Sequence, residues 1–469
     1  MLQYHEITEI FLHGRKRRGM DIVIIGGGIV GAAICSQLAT EKHNITVVDR
    51  DPDALGEITN VCDVFSVEGN GADVNVLRKA GAEKAELLIA VTSSDEINIL
   101  CCAVAKKLGT GHTIARVRNP EYSELMQLMR SEMSLSMTIN PELVVAREAY
   151  RMLRFPAAAK ISSLCRGRVE IAEFRVPADS PICGVTLNDL RTQLNIRFVV
   201  CGVLRGEEAI IPSGNFSIQA DDLICVTVPD EETTGFFAAL GARKKPVKNV
   251  LIVGGGRITY YLEALLQRAR IHSTVIEKDT ALCEALAEQY DCTVIHGNGT
   301  RQELLEEEGL NRCDAILALS DADEENAIVS MYAKTRGVGK AITLIRAMSY
   351  VDFFKSVGLD SVVSPHFSTA TQILRFVRSM TNVRGSEIES LHKLLSGQAE
   401  ASEFIIKEDI KGLTGQPLKK LHLRRGVLIA CIVHHEKVLI PTGDDVISNG
   451  DTVIVVTGRR VHGIKDILA

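Results

Sequence analysis

Tryptophan is absent from this 469-residue sequence, and aromatic residues of all kinds make up only 4%. Proteins that hold single-stranded nucleic acid stack its bases on aromatic side chains, so that class of function finds little material here. Positive charge is not in excess either: the formal net charge is -6, which offers no basic face to a phosphate backbone. No apolar run approaches the roughly 18 to 20 residues that a membrane-spanning helix needs. Stretches such as Val427–Val433 are strand-length, so membrane association is expected only through a partner protein. The twelve cysteines contain no Cys-x-x-Cys pair, which excludes a zinc knuckle and a thioredoxin-like motif. They read as reduced core thiols of a cytosolic protein.

What is present fits a soluble chain of several domains. Apolar residues make up 46% and charged residues 24%, and 469 residues exceed one ordinary domain. Residues 1–19 do not match the start of a folded module. Their basic stretch Gly14-Arg-Lys-Arg-Arg-Gly19 reads as a nuclear or nucleic-acid patch, as a mobile tail or, the preferred reading, as a translated ribosome-binding site upstream of a start at Met20.

An internal repeat organises the remainder. Gly26-Gly-Gly-Ile-Val30 aligns with Gly254-Gly-Gly-Arg-Ile258 at an offset of 228. The same offset carries Asp49 onto Glu277, Gly69-Asn-Gly71 onto Gly297-Asn-Gly299, Asn98 onto Asn326 and Arg118 onto Arg346. A four-residue deletion then brings Asn140-Pro141 onto Ser364-Pro365, and Asp221-Asp222 later matches Gly450-Asp451. The chain is a tandem duplication.

Each copy splits in two. In its first part apolar strands alternate with helix-length segments, which implies parallel pairing in a doubly wound sheet. Its second part has short strands around one helix, Thr186–Gln193, the pattern of a small α+β domain. The expected fold class is therefore α/β, with two tandem Rossmann-like doubly wound N-lobes, each followed by a small α+β C-lobe. The boundaries expected are 20–140 and 248–364 for the N-lobes, 141–160 and 365–392 for the linking helices, and 161–232 and 393–469 for the C-lobes. The charged stretch Ala242–Lys248 is the expected linker between copies.

The strand Asp21–Ile25 runs into Gly26-x-Gly28-x-x-Gly31 and a helix. The first glycine permits the turn, the second lets backbone approach a pyrophosphate, and the third lets helix pack on sheet. The helix N-terminus offers N–H groups and partial positive charge to phosphates. Asp49 ends the second strand, where a carboxylate binds ribose hydroxyls and repels a 2′-phosphate. That favours NAD or ADP/ATP over NADP. In the second copy Thr259 replaces the third glycine, Arg257 follows the loop, and Glu277 stands for Asp49. That copy reads either as a weaker, differently selective site or as a structural remnant. No metal site is expected: strand alternation sends His434 and His435 to opposite faces. Asp95 and Asp323 read as helix N-caps. No catalytic constellation stands out.

The duplicated order of lobes resembles the RCK (regulator of potassium conductance) family in its tandem, Trk-system form. The motifs that carry the resemblance are Asp21–Gly31, Ile45–Asp49, Gly69-Asn-Gly71, Ala80–Glu83 with Leu88–Glu96, and Ile114–Arg118. The resemblance covers the chain from about Met20 onward. It implies a non-enzymatic peripheral cytoplasmic subunit, a homotetramer at the inner face of the membrane. Such a subunit binds NAD(H) and ATP/ADP and gates a TrkH-type potassium channel or transporter. It places nucleotide contacts on Gly26, Gly27, Gly28, Ile29, Val30, Asp49, Thr92, Ser93 and Arg116. In the second copy they fall on Gly254, Gly255, Gly256, Arg257, Ile258, Glu277, Leu319 and Ser320, with Leu344 standing where Arg116 would. The rival readings are a regulator of a potassium/proton antiporter and an NAD-dependent oxidoreductase.

Overall fold

The computed structural model describes residues 19–469 except 42, 123–134, 156–157, 159, 166–167, 195, 230–231, 241–246, 348–349, 351–352, 355–356, 360, 383–387, 436, 459–460 and 462. Most of the N-terminal extension and of the linker at 242–248 lies outside the described residues.

Two compact units emerge. The first comprises residues up to Pro141 together with His366–Leu374; the second comprises Glu142–Pro365 and Arg375–Ala469. The first unit is built on β1 (Asp21–Ile25), β2 (Asn44–Asp49), β3 (Phe65–Glu68), β4 (Leu87–Ala90), β5 (His112–Arg116) and β6 (Met137–Ile139). These form one parallel sheet in the order β3-β2-β1-β4-β5-β6. Its central strands are near-continuous Ile, Leu and Val runs because helices cover both faces. All of β4 is buried, as is β1 beyond Asp21.

The second unit repeats this sheet with β12 (Asn249–Val253), β13 (His272–Glu277), β14 (Thr293–His296), β15 (Ala315–Ala318), β16 (Lys340–Leu344) and β17 (Val362–Val363). It also holds both C-lobes. The first is an antiparallel sheet in the order β10-β9-β11-β8-β7, built from β7 (Lys160–Leu164), β8 (Val169–Arg175), β9 (Val199–Arg205), β10 (Glu208–Ile210) and β11 (Leu223–Thr227). The second has the order β18-β19-β22-β20-β21, from β18 (Ile388–Leu394), β19 (Ala399–Ile405), β20 (Val427–His434), β21 (Lys437–Leu439) and β22 (Thr452–Thr457). The helix Leu187–Leu194 of the first lobe shrinks to the 3₁₀ turn Leu418–Lys420 in the second.

Packing exchanges partners between the copies. Val145, Ala146, Ala149, Met152 and Leu153, on the linking helix Pro141–Arg154, are buried with Val250, Ile252, Leu262 and Leu317 of the second N-lobe. The C-lobes likewise share one core, where Ile171, Cys201 and Cys225 meet Leu395, Ala401 and Ile454. All twelve cysteines are free, and eight are buried. Burial pushes the thiols of Cys35, Cys101 and Cys431 up to about 12.

Alternation fails at the two histidines of the last hairpin. His435 has φ 42°, leaves the strand in a left-handed turn, and brings its ring centroid to 4.3 Å from that of His434. His434 Nδ1 pairs with buried Asp451, in the place of the Arg205–Asp222 ion pair (2.8 Å) of the first C-lobe. Among the described residues no group of three or more His, Cys, Asp or Glu could hold a metal, and no helix is long and apolar enough to cross a membrane.

One buried base gives the second unit an acid-side weakness. His392 is 4% exposed, and its Nδ1 accepts from Arg375 Nη2 at 3.0 Å, which requires a neutral ring. Desolvation first, then the Arg375 and Lys160 charges, lower its pKa from 6.5 to about 2. The unfolded chain protonates this residue below pH 6.5 while the folded chain does not, so stability falls with pH by about 1.4 kcal/mol per unit. A His392→Gln variant should lose that slope between pH 6.5 and 4.5, as read by denaturant melts.

Candidate functional site

The site follows from the strand order. β1 sits between β2 and β4, whose connections leave on opposite faces, so the loops after β1 and β4 diverge and open a crevice at their carboxyl ends. A cavity of about 400 Å³ fills this crevice in the first unit, within the range of small-ligand sites. Of the residues expected to contact a nucleotide, Gly26, Gly28, Ile29, Val30, Asp49, Thr92, Ser93 and Arg116 line it. Arg50, the Gly69-Asn70-Gly71 turn, Ser94, Ile97 and His366 line it too, and no sequence argument had marked them as contacts.

The glycine loop has the conformation its residues demand. Gly26 has φ +107°, and a Cβ there would sit 3.0 Å from the Thr92 backbone nitrogen. A Cβ at Gly31 would come within 1.9 Å of the Gly26 carbonyl oxygen, so the helix Ile29–Thr40 packs against the loop only with glycine there. Gly28 has nothing within 4 Å of such a position, which leaves its backbone open to a ligand. Gly27 is held back from the cavity: its N–H donates to Asp49 Oδ2 at 2.5 Å, while Asp49 Oδ1 accepts from Asp51 N–H at 3.0 Å. The acidic residue thus braces the loop as well as lining the crevice.

Across the crevice one buried side chain sets the geometry. Asn98 is 0% exposed. Its Oδ1 accepts from the Thr92 N–H (2.8 Å) and hydroxyl (2.7 Å), and its Nδ2 donates to the carbonyls of Thr92 (3.1 Å) and Arg116 (3.0 Å). It therefore clips the ends of β4 and β5 together. Arg116, itself buried, donates to the Thr92 carbonyl as well. Asp95 is not the helix cap expected of it. Ser94 is, accepting from Ile97 N–H at 3.2 Å, whereas Asp95 accepts from the N–H groups of Arg118 (2.7 Å) and Asn119 (2.8 Å). Asp323 does the same for Arg346 (2.9 Å) and Ala347 (2.8 Å), and the N-cap position there is Ala322.

The second crevice keeps the frame and changes the lining. Gly254 has φ +105°, Gly255 N–H donates to Glu277 Oε2 at 2.5 Å, and Asn326 donates to the carbonyls of Ser320 (2.9 Å) and Leu344 (3.0 Å). Thr259 is accommodated by its hydroxyl, which donates to the Gly254 carbonyl at 2.5 Å. The cavity is about 180 Å³, lined by Gly254, Gly256, Glu277, Leu319 and Ser320 but not by Gly255, Arg257 or Ile258. Arg257 is exposed at the start of its helix, and Ile258 is buried. Four carboxylates (Glu277, Asp279, Asp321 and Glu325) and one lysine line this site; the first has one carboxylate and two arginines. At an effective dielectric near 20, a like charge about 7 Å away is worth roughly 2 kcal/mol. The second lining thus carries an excess of negative charge where the first carries an excess of positive charge, although Asp321 is paired with Arg346 at 2.6 Å.

The same two-part architecture matches known protein families twice over. The TrkA-N domain model matches residues 22–140 and 250–365, and the TrkA-C domain model matches 171–241 and 402–462. The chain belongs to the TrkA family. The Trk system potassium uptake protein TrkA of Halomonas elongata is 34% identical over 95% of this chain and 98% of its own. The TrkA protein of Vibrio alginolyticus is 32% identical over 96% and 98%. Among solved structures, the GsuK channel bound to NAD superposes with a TM-score of 0.61 at 19% identity, covering 97% of this chain and 81% of that one. The GsuK RCK domain matches equally well, with 96% of both chains covered. The fold, two RCK-type repeats each with a parallel and an antiparallel sheet, is thus one that these solved neighbours share.

Proposed function

We propose that this chain is the regulatory, nucleotide-sensing peripheral subunit of a bacterial potassium uptake system, gating a TrkH-type membrane channel from the cytoplasmic side. The carrying observation is the first crevice: a brace of Asp49 on Gly27 and two arginines around an open glycine loop, in a chain alike over its whole length to TrkA proteins. The ligand is NAD(H), with ATP or ADP as competitor, bound by Gly26–Val30, Asp49, Thr92, Ser93 and Arg116. The second crevice, on Gly254, Gly256, Glu277, Leu319 and Ser320, is a weaker or differently selective site. The lobe boundaries at 140, 232 and 364 separate nucleotide-binding from assembly modules. The subunit assembles as a homotetramer in this reading, and Leu100 (48% exposed) and Ile328 (64%), apolar residues at equivalent positions of the two repeats, are candidates for its contacts. Sensing rather than hydride transfer is the reading that the likeness to TrkA potassium uptake proteins supports.

Gating requires that the ligand bind open and closed assemblies with different affinity. Potassium flux through the reconstituted membrane partner should therefore change on titration with NADH, NAD, ATP or ADP. An Asp49→Ala subunit should need far more ligand for the same response. Flux indifferent to all four nucleotides would sink this reading.

A further inference from the structure

One wall of the first crevice comes from the other repeat. His366 lies in the first turn of the helix Pro365–Asn382, far from the glycine loop in sequence, yet it lines the same cavity as Gly28 and Arg116. It is partly buried, and it belongs with Leu374 and the residues between to the compact unit of the first N-lobe. An imidazole can donate a hydrogen bond in either protonation state. Donors to phosphate oxygens are what an anionic ligand seeks at such a loop, and the helix end behind His366 adds partial positive charge.

The repeat supplies a second, independent observation. By the alignment that brings Pro141 onto Pro365, His366 corresponds to Glu142. Glu142 does not line the second cavity, so among the described residues that crevice has no counterpart of the His366 imidazole. The first crevice is also the one that has Arg116 where the second copy has Leu344, and Ser93 where it has Asp321.

We infer that His366 is a nucleotide-binding residue of the first site, contributed by the second repeat, whose imidazole donates to a phosphate oxygen of bound NAD(H) or ADP. This rests on the proposed assignment of the first crevice as the nucleotide site. It makes the site incomplete in an isolated first N-lobe. It also ties occupancy to a helix that runs on toward the second C-lobe.

The test is equilibrium binding of NADH, ADP and adenosine to the full-length chain, for the wild type, His366→Gln, His366→Glu and Asp49→Ala, with thermal melts to confirm folding. His366→Glu should weaken NADH and ADP by about 10- to 100-fold and leave adenosine, which has no phosphate, within twofold. His366→Gln keeps a donor and should stay within about threefold for every ligand. Asp49→Ala should weaken all three ligands, adenosine included. ADP and NADH binding by a folded His366→Glu chain at wild-type strength overturns the inference, while loss of all ligands in Asp49→Ala would keep the site assignment standing. Equal loss of adenosine and ADP in His366→Glu also overturns it, as a structural effect. A wild-type chain that binds no nucleotide removes both.

Discussion

Replacing Asn98 with alanine is expected to cost the first N-lobe about 3–5 kcal/mol and to loosen its nucleotide site at the same time. The residue is fully buried, and its amide satisfies the Thr92 N–H and carbonyl and the Arg116 carbonyl, besides the Thr92 hydroxyl. Truncation leaves these groups without this partner, the Arg116 carbonyl in a buried place and the Thr92 groups half-buried at the crevice wall. Each buried polar group so stranded costs about 1–3 kcal/mol. The ends of β4 and β5 would then part, carrying Thr92 and Arg116 out of position. Denaturant melts should show the loss, and a nucleotide titration should show a weakened site. Asn326→Ala is the matched control: it removes the same clip between Ser320 and Leu344 and should destabilise the second unit while leaving tight binding intact. An Asn98→Ala chain within 1 kcal/mol of wild type would show that the clip matters little.

The larger effect on function should come from Asp49→Ala, which we expect to weaken NAD(H) by about 100-fold or more. Two losses combine. The Gly27 N–H and the Asp51 N–H lose an ionised acceptor, so the loop is no longer braced in the conformation that leaves Gly28 open. A ribose hydroxyl loses its acceptor as well. Hydrogen bonds to charged groups are worth about 1.5–3 kcal/mol each, and 1.4 kcal/mol is tenfold in affinity. Glu277→Ala should have no comparable effect. Its carboxylate is buried, with both oxygens taken by the N–H groups of Gly255, Lys278 and Asp279, and the cavity beside it is rich in negative charge. Fluorescence titration of NADH against the three proteins separates these outcomes.

Much of this was legible in the sequence, because its signals are local. Runs such as Asp21–Ile25 are short and β-branched, glycine spacing fixes a turn, and an acidic residue at the end of β2 needs no distant partner to be noticed. The repeat added the architecture, since a shared offset over so many positions admits one fold twice. What stayed hidden depends on packing between segments. Helical periodicity in Pro141–Arg154 reveals an apolar face but not that the second N-lobe covers it. Nothing near His366 announces that it reaches the first cavity. Asp95 looked like a cap because caps and loop braces use the same residue type at nearly the same place. His434 and His435 looked divided by alternation, which holds only while the strand continues; the left-handed turn at His435 ends it. Thr259 in place of the third glycine is visible in the sequence, but not that the loop stays unchanged, with Gly254 at φ +105° against +107° at Gly26, because the Thr259 hydroxyl donates to the Gly254 carbonyl.

The central claim is that two copies of one frame carry unlike sites, and calorimetric titration of the full-length chain with NADH tests it most directly. One tight site per chain is expected, abolished in Asp49→Ala and kept in Glu277→Ala. Two equivalent sites per chain, or a tight site lost with Glu277 rather than Asp49, would contradict it.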